Sequence, residues 1–163
     1  MDLRAAQAPI KDRYREEPDD ALITLVARAS ETDTPVTCSV EAGQAIQAAQ
    51  AHTGVGGPGT AACSGDLLLG ALAACAQVTC QMVAASMGIE AERIEITVEG
   101  DLDLRGTLGV SRDAKVGFEA IRLSLDVSAP GADPEEIAAL KEKTERYCTV
   151  LQTLRAPPEV ATT

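Results

Sequence analysis

Five cysteines (Cys38, Cys63, Cys75, Cys80 and Cys148) and one histidine, His52, carry most of the reactive chemistry available to this 163-residue chain. Thiols can hold zinc, form structural disulfides or act as nucleophiles, and spacing separates these roles. No C-x-x-C or H-x-x-x-H pattern sets up a ligand group, so neither a metal site nor a cofactor is expected. A Ser–His–Asp hydrolase would have to draw His52 from a loop, with no nucleophile elbow to serve it. The cysteine count is odd, and the start, Met1-Asp2-Leu3-Arg4, is charged rather than a signal-type apolar run. Both features suggest a cytoplasmic setting in which thiols stay reduced and any disulfide is transient.

The five thiols are not equivalent. Cys38 falls in an expected strand and reads as a small hydrophobe. Cys80 is five residues beyond Cys75, which turns it by about 140° to another helical face, so it too reads as packing. Cys63 stands just before a helix, where backbone N–H groups can favour a thiolate. The twelve positions from Cys63 to Cys75 span about 18 Å of helix, far beyond the roughly 7 Å Cα limit for a disulfide. Cys75 would therefore need a partner from elsewhere in the chain.

The element that must position Cys75 is the apolar run Ser64–Gly88. Its only charge is Asp66, in the first turn, where it suits the positive end of the helix dipole. Ser64 is the expected N-cap and Gly88 the expected C-cap. Leu68, Leu72, Cys75, Thr79 and Met82 recur every three or four residues and share one face. The other faces are Ala, Gly and Leu, the pattern of a helix buried on every side. Its length, about 34 Å, approaches a bilayer span; Gln77, Thr79, Gln81 and Ser86 interrupt it, and a core helix is expected.

Around it, residues 1–17 place Leu3, Ala6, Ile10 and Tyr14 on one helical stripe, interrupted by Pro9. Residues 21–29 and 35–41 read as two strands of a hairpin. Residues 44–52 are ambiguous between helix and strand. Thr53–Thr60 is a glycine-rich loop that lacks the Gly-Lys-Ser/Thr of a P-loop, and reads as a turn. Ile94, Ile96 and Val98 alternate as a half-buried strand; Leu102, Leu104 and Leu108 follow, broken by Gly106 and Gly109. Phe118 and 121–127 form another alternating strand. Asp133-Pro134-Glu135-Glu136 opens a helix reaching Cys148, with 149–154 either continuing it or starting a new turn. The expected class is α+β, helices against one side of an antiparallel sheet, with a helical arm at 1–19, one domain at 20–156 and a tail at 157–163.

Net charge is −11 and the pI is near 4.5, which argues against nucleic acid or an anionic membrane surface as partner. Tyr14, Phe118 and Tyr147 are the only aromatic residues. A chain this size has difficulty covering a helix apolar on all faces, and a homodimer is the simplest remedy.

Leu-Leu-Leu-Gly-Ala-Leu-Ala-Ala-Cys at 67–75, Glu-Gly-Asp-Leu-Asp-Leu-Arg-Gly at 99–106 and Glu-Arg-Tyr-Cys at 145–148 resemble the OsmC/Ohr family (osmotically inducible protein C and organic hydroperoxide resistance proteins). The likeness covers roughly residues 20–155. It implies an intertwined homodimer whose sheets wrap two long central helices, with active sites at the subunit interface. It also implies a thiol peroxidase: Cys75 peroxidatic, Cys148 resolving, an organic hydroperoxide as substrate and an external dithiol as reductant. In the family an Arg backed by a Glu favours the thiolate. The Glu position, ten residues before the cysteine, is Gly65 here; Asp66 is the nearest substitute, and Arg13 is the candidate Arg. Two other readings suit this scaffold: a non-catalytic dimeric module binding a small apolar ligand, and a thiol redox sensor.

Overall fold

Apolar periodicity and turn chemistry set the boundaries of most elements. The computed structural model describes residues 7, 9, 11, 13, 14, 16, 17, 22, 24, 27–31, 37–42 and 45–162. It divides the chain into two compact units, Met1–Asp66 and Leu67–Thr163.

In the first unit, Gln7, Pro9, Lys11, Arg13, Tyr14 and Glu16 are helical, as expected; Leu3, Ala6 and Ile10 of the expected stripe lie outside the described residues. Three antiparallel strands follow, β1 (Ala27–Glu31), β2 (Thr37–Ala42) and β3 (Ala45–Gln50), in the order β1-β2-β3. Ser30 pairs with Ser39, and Thr37 with Gln50. The first strand therefore lies later than the expected 21–29, since Leu22 and Thr24 are outside it. The ambiguous stretch 44–52 resolves as strand: its helix-favouring Ala and Gln are overridden by pairing with β2, a tertiary effect that local propensity does not register.

The glycine-rich loop is a shaped turn. His52 Nδ1 accepts the Gly54 N–H at 3.0 Å, and Gly56 has φ 93°, a left-handed conformation that favours glycine. A β-carbon on Gly57 would collide with the Ala51 carbonyl. Buried Gln50 ties the far end of the loop back, donating from Nε2 to the Ala61 carbonyl and accepting the Thr60 hydroxyl at 3.2 Å.

Helix α1 (Ser64–Met87) carries the second unit. Its cap is Cys63 rather than the expected Ser64. The Asp66 N–H reaches Cys63 Sγ at 3.4 Å, and the Cys63 N–H donates to Asp66 Oδ2 at 2.9 Å, the reciprocal pattern of a capping box with sulfur in place of a hydroxyl. At the other end Gly88 (φ 76°) and Ile89 donate back to the Ala85 and Ala84 carbonyls, a Schellman closure.

Strands β4 (Arg93–Asp101) and β5 (Ala120–Ser128) pair antiparallel, with Val98 opposite Leu123. Ile94, Ile96 and Val98, with Ile121, Leu123, Leu125 and Val127, turn inward. The outer face is wet, as expected: Arg93 pairs with Glu95 and Asp126, and Arg122 with Glu99 and Asp101. Beyond β4, Leu104 falls in a helical turn, α2 (Leu104–Thr107), capped by the Asp103 carboxylate. Phe118 lies outside β5, its ring occupying the space that a β-carbon on Gly100 would need.

Helix α3 (Pro134–Tyr147) begins with the expected capping box: the Glu136 N–H donates to Asp133 Oδ1 at 2.8 Å, and the Asp133 N–H to Glu136 Oε2 at 3.0 Å. Cys148 interrupts it with an extended ψ of 103°, after which α4 (Thr149–Arg155) starts.

The packing of α1 departs from the expected stripe. Leu72, Ala76, Cys80 and Ala84 are its buried residues, whereas Leu68, Val78 and Met82 are exposed. The small side chains at 76, 80 and 84 let the strands and α3 approach closely, so they set the inward face in preference to the bulkier Leu68 and Met82. One cluster joins Leu72 and Ala76 to Cys148 and Leu151; the other joins Cys80 and Ala84 to Ile89 and Leu140. The helix is long and apolar enough to cross a membrane, yet this stripe is packed against β4, β5 and α3. Burial on every side does not hold within one chain.

Leu140 has no exposed surface, and Leu140→Ala should destabilise the fold by about 2–4 kcal/mol, read as a lowered urea midpoint. Asp133→Ala should cost only about 1 kcal/mol by the same measurement.

Candidate active site

Cys75 projects from the middle of α1, and Cys148 from the break between α3 and α4; the fold packs Cys75 against the buried cluster that contains Cys148. The break is what makes this possible. A continuous helix would carry residue 148 in regular register, whereas its extended ψ points the following amides back toward Cys75. The bend is braced by Gln152 Nε2, donating to the Glu145 carbonyl at 2.7 Å, and by Arg155 with the Glu145 carboxylate at 2.8 Å.

Cys148 is fully buried and Cys75 half-buried. Burial pushes the Cys75 thiol up, because an apolar setting penalises the charged form. Hydrogen bonds oppose this: the Val150 N–H, the Cys148 thiol, the Thr79 hydroxyl and the Thr149 N–H all favour the thiolate. They prevail, and Cys75 lies below its ordinary value. Cys148 moves the opposite way, pushed up by burial and then by the neighbouring Cys75, which needs its proton. One thiol is thus poised as nucleophile and the other as donor. None of the groups acting on Cys75 carries a formal charge.

Asp66 and Arg13 both belong to the first unit. Asp66 is held by Cys63, whose N–H and thiol pull its carboxyl below the usual carboxylate range, with His52 adding to this. The guanidinium of Arg13, in the first unit, stacks 5.2 Å from the Tyr14 ring centroid. Cys80 has the packing role expected of it, within the Leu140 cluster. Cys38 lies on β2, and its side chain is outside the described residues. Among the described residues no group of His, Cys, Asp and Glu could hold a metal ion. Nothing in the cysteine spacing points to the Thr149 and Val150 amides; the missing signal is the helix break, which no proline or glycine marks. Thr79 was legible only as a residue sharing the Cys75 face.

A cavity of about 390 Å³ is lined by Leu72, Phe118, Ile121, Leu123, Leu151 and Leu154, with the charged Glu119, Glu145 and Arg155 also on its wall. Leu72 and Leu151 also pack on Cys148, so one layer of side chains separates the cavity from the sulfur.

A lowered acid constant means that more Cys75 is thiolate at any given pH. Its alkylation by iodoacetamide, followed on the Cys75 peptide by mass spectrometry, should reach half its maximal rate at a lower pH than a free cysteine peptide. The Cys148 peptide should lag behind both. Equal profiles for the two thiols would contradict this polarity.

The OsmC-like protein family model matches residues 57–163. No curated protein matches the chain. Among solved structures, an OsmC-like protein from Mycoplasma pneumoniae is similar at 18% identity and TM-score 0.70, covering 83% of this chain and 89% of that one. An organic hydroperoxide resistance protein OsmC from Legionella pneumophila is similar at 23% identity and TM-score 0.61, covering 83% and 91%. An organic hydroperoxide resistance protein from Elizabethkingia anophelis gives 21% and 0.61 over the same shares. Identities this low speak for the fold, and the family match spans well over half of the chain: the protein belongs to the OsmC-like family.

Proposed function

We propose that the protein is a thiol peroxidase that reduces organic hydroperoxides in oxidative-stress defence. The observation that carries this reading is the contact between a half-buried Cys75, shifted toward its thiolate, and a buried Cys148 shifted toward its thiol. The Cys75 thiolate attacks the terminal peroxide oxygen, the O–O bond breaks, and the alkoxide leaves and takes up a proton to become the alcohol. Cys75 is then a sulfenic acid. Cys148 attacks the Cys75 sulfur, its proton leaves with the departing hydroxyl as water, and a Cys75–Cys148 disulfide forms. An external dithiol returns two electrons and two protons. The cavity's aliphatic and aromatic wall, Leu72, Phe118, Ile121, Leu123, Leu151 and Leu154, suits the hydrocarbon part of a substrate. Asp66 and Arg13 enter this reading as supporting residues, tested by Asp66→Asn and Arg13→Ala.

The working form in this reading is a cytoplasmic homodimer, with residues 20–156 acting as one OsmC-like domain in each subunit. The exposed Leu68, Val78 and Met82 support it, because an apolar helix face this long is costly to leave in water. A partner helix would cover it. The same cavity wall also favours a second reading, a non-catalytic dimer that binds a small apolar ligand.

One equivalent of cumene hydroperoxide added to the fully reduced protein should give a Cys75–Cys148 linkage by peptide mass spectrometry. Cys75→Ser should abolish turnover with a dithiol and leave the dimer folded, while Cys148→Ser should accumulate Cys75 sulfenic acid. Turnover retained in Cys75→Ser would sink the peroxidase; oxidation that stops after one equivalent despite dithiol would favour a redox sensor. Val78→Asp should shift the sedimenting species from dimer to monomer, and a monomeric mass in the unaltered protein would remove the dimer.

A further inference from the structure

Alternate residues of a strand share a face, so the inward positions of β4 run Ile94, Ile96, Val98 and Gly100. The fourth is a glycine, which leaves a slot where the pattern calls for an apolar side chain. A β-carbon there would stand 2.5 Å from Phe118 Cε1 and 3.2 Å from Leu69 Cδ1, so the slot faces α1 and the Phe118 ring fills it. Phe118 reaches the slot from the foot of the β4–β5 connection. The next residue fixes that foot, because the Glu119 N–H donates to the Asp101 carbonyl at 2.8 Å. Half-buried, Phe118 also lines the cavity of about 390 Å³, and it is the one aromatic residue among the described wall residues. Leu72 and Leu151 belong both to this wall and to the cluster around Cys148, against which Cys75 packs. Arg155, the cation on the wall, is already paired with Glu145 at 2.8 Å. The cavity therefore suits a neutral ligand better than an anion.

We infer that Phe118, seated on Gly100, is the specificity-determining residue of this cavity, and that it selects a neutral hydroperoxide with an aryl body over one with a small branched alkyl body. This rests on the peroxidase reading for the hydroperoxide, though the seat and the wall do not depend on turnover. An aromatic ring gains from an offset or edge-to-face aromatic partner beyond the apolar area it buries, whereas the aliphatic side chains around it reward area alone. The volume falls near the lower end of ligand cavities, about 300–1,000 Å³, so one compact body fits beside the ring. Gly100 keeps that volume open: a side chain at this position would push the ring out of its slot and toward the cavity it lines.

The test compares cumene hydroperoxide with tert-butyl hydroperoxide in the unaltered protein, Phe118→Leu and Gly100→Ala. A second measurement removes the chemistry: cumyl alcohol, the product, is titrated into the same reduced proteins and followed by saturation-transfer NMR. Phe118→Leu keeps an apolar wall and removes the ring. It should lower the kcat/KM ratio of cumene over tert-butyl hydroperoxide roughly two- to ten-fold, mainly through KM, and weaken cumyl alcohol by a similar factor, the effect of one aromatic pair. Gly100→Ala should lower the ratio too, as the displaced ring takes the space of the aryl body. Should Gly100→Ala fail to fold, Phe118→Leu alone decides the assignment. An alcohol affinity unmoved in Phe118→Leu overturns it. Turnover with an unmoved ratio removes Phe118 and leaves the peroxidase. Alcohol binding weakened in Phe118→Leu, in a protein that neither hydroperoxide oxidises, removes the peroxidase and leaves Phe118 in place.

Discussion

A thiol set among apolar side chains, yet drawn below its ordinary acid constant, is the constraint on which the Cys75 site turns. Burial alone would keep Cys75 protonated, and a protonated thiol is a poor nucleophile. The chain answers with oriented neutral dipoles. The Val150 and Thr149 amides become available only because the helix stops at Cys148 and restarts, leaving the first N–H groups of α4 without intrahelical partners. A seamless helix from Pro134 to Arg155 would have spent those donors on its own carbonyls. The bend, the Glu145 bridges that brace it and the burial of Cys148 therefore belong to one device.

The same contact gives the two thiols opposite tendencies. A sulfur that accepts a hydrogen bond from its neighbour is eased toward the anion, and the neighbour that donates is held as the neutral acid. Among the described residues no charged side chain sets the polarity. It follows from unequal burial and from the direction in which the backbone amides point.

Helix α1 meets a second demand, serving two packing surfaces with one sequence. Its small residues at 76, 80 and 84 nest against strands and α3, and its bulkier Leu68, Val78 and Met82 look outward. Size therefore decides the inward face where hydropathy is uniform.

The sequence by itself determined the extent of α1, the capping box at Asp133 and the alternation of β4 and β5, because each is written in local spacing: 3.6-residue or two-residue periodicity, or a capping residue and its partner three positions on. The motif around Cys75, with Cys148 some seventy residues later, was enough to suggest the family. Tertiary structure decided the rest. Residues 45–50 became strand through pairing with β2 despite their helix-favouring composition. Cys63 took the cap from Ser64 because Asp66 folds back on it. The buried face of α1 was settled by the close fit of its neighbours, which an all-apolar pattern cannot specify. Above all, the meeting of Cys75 with Cys148 and the amides behind it depends on one extended residue between two helices, and no local signal in the chain marks that break.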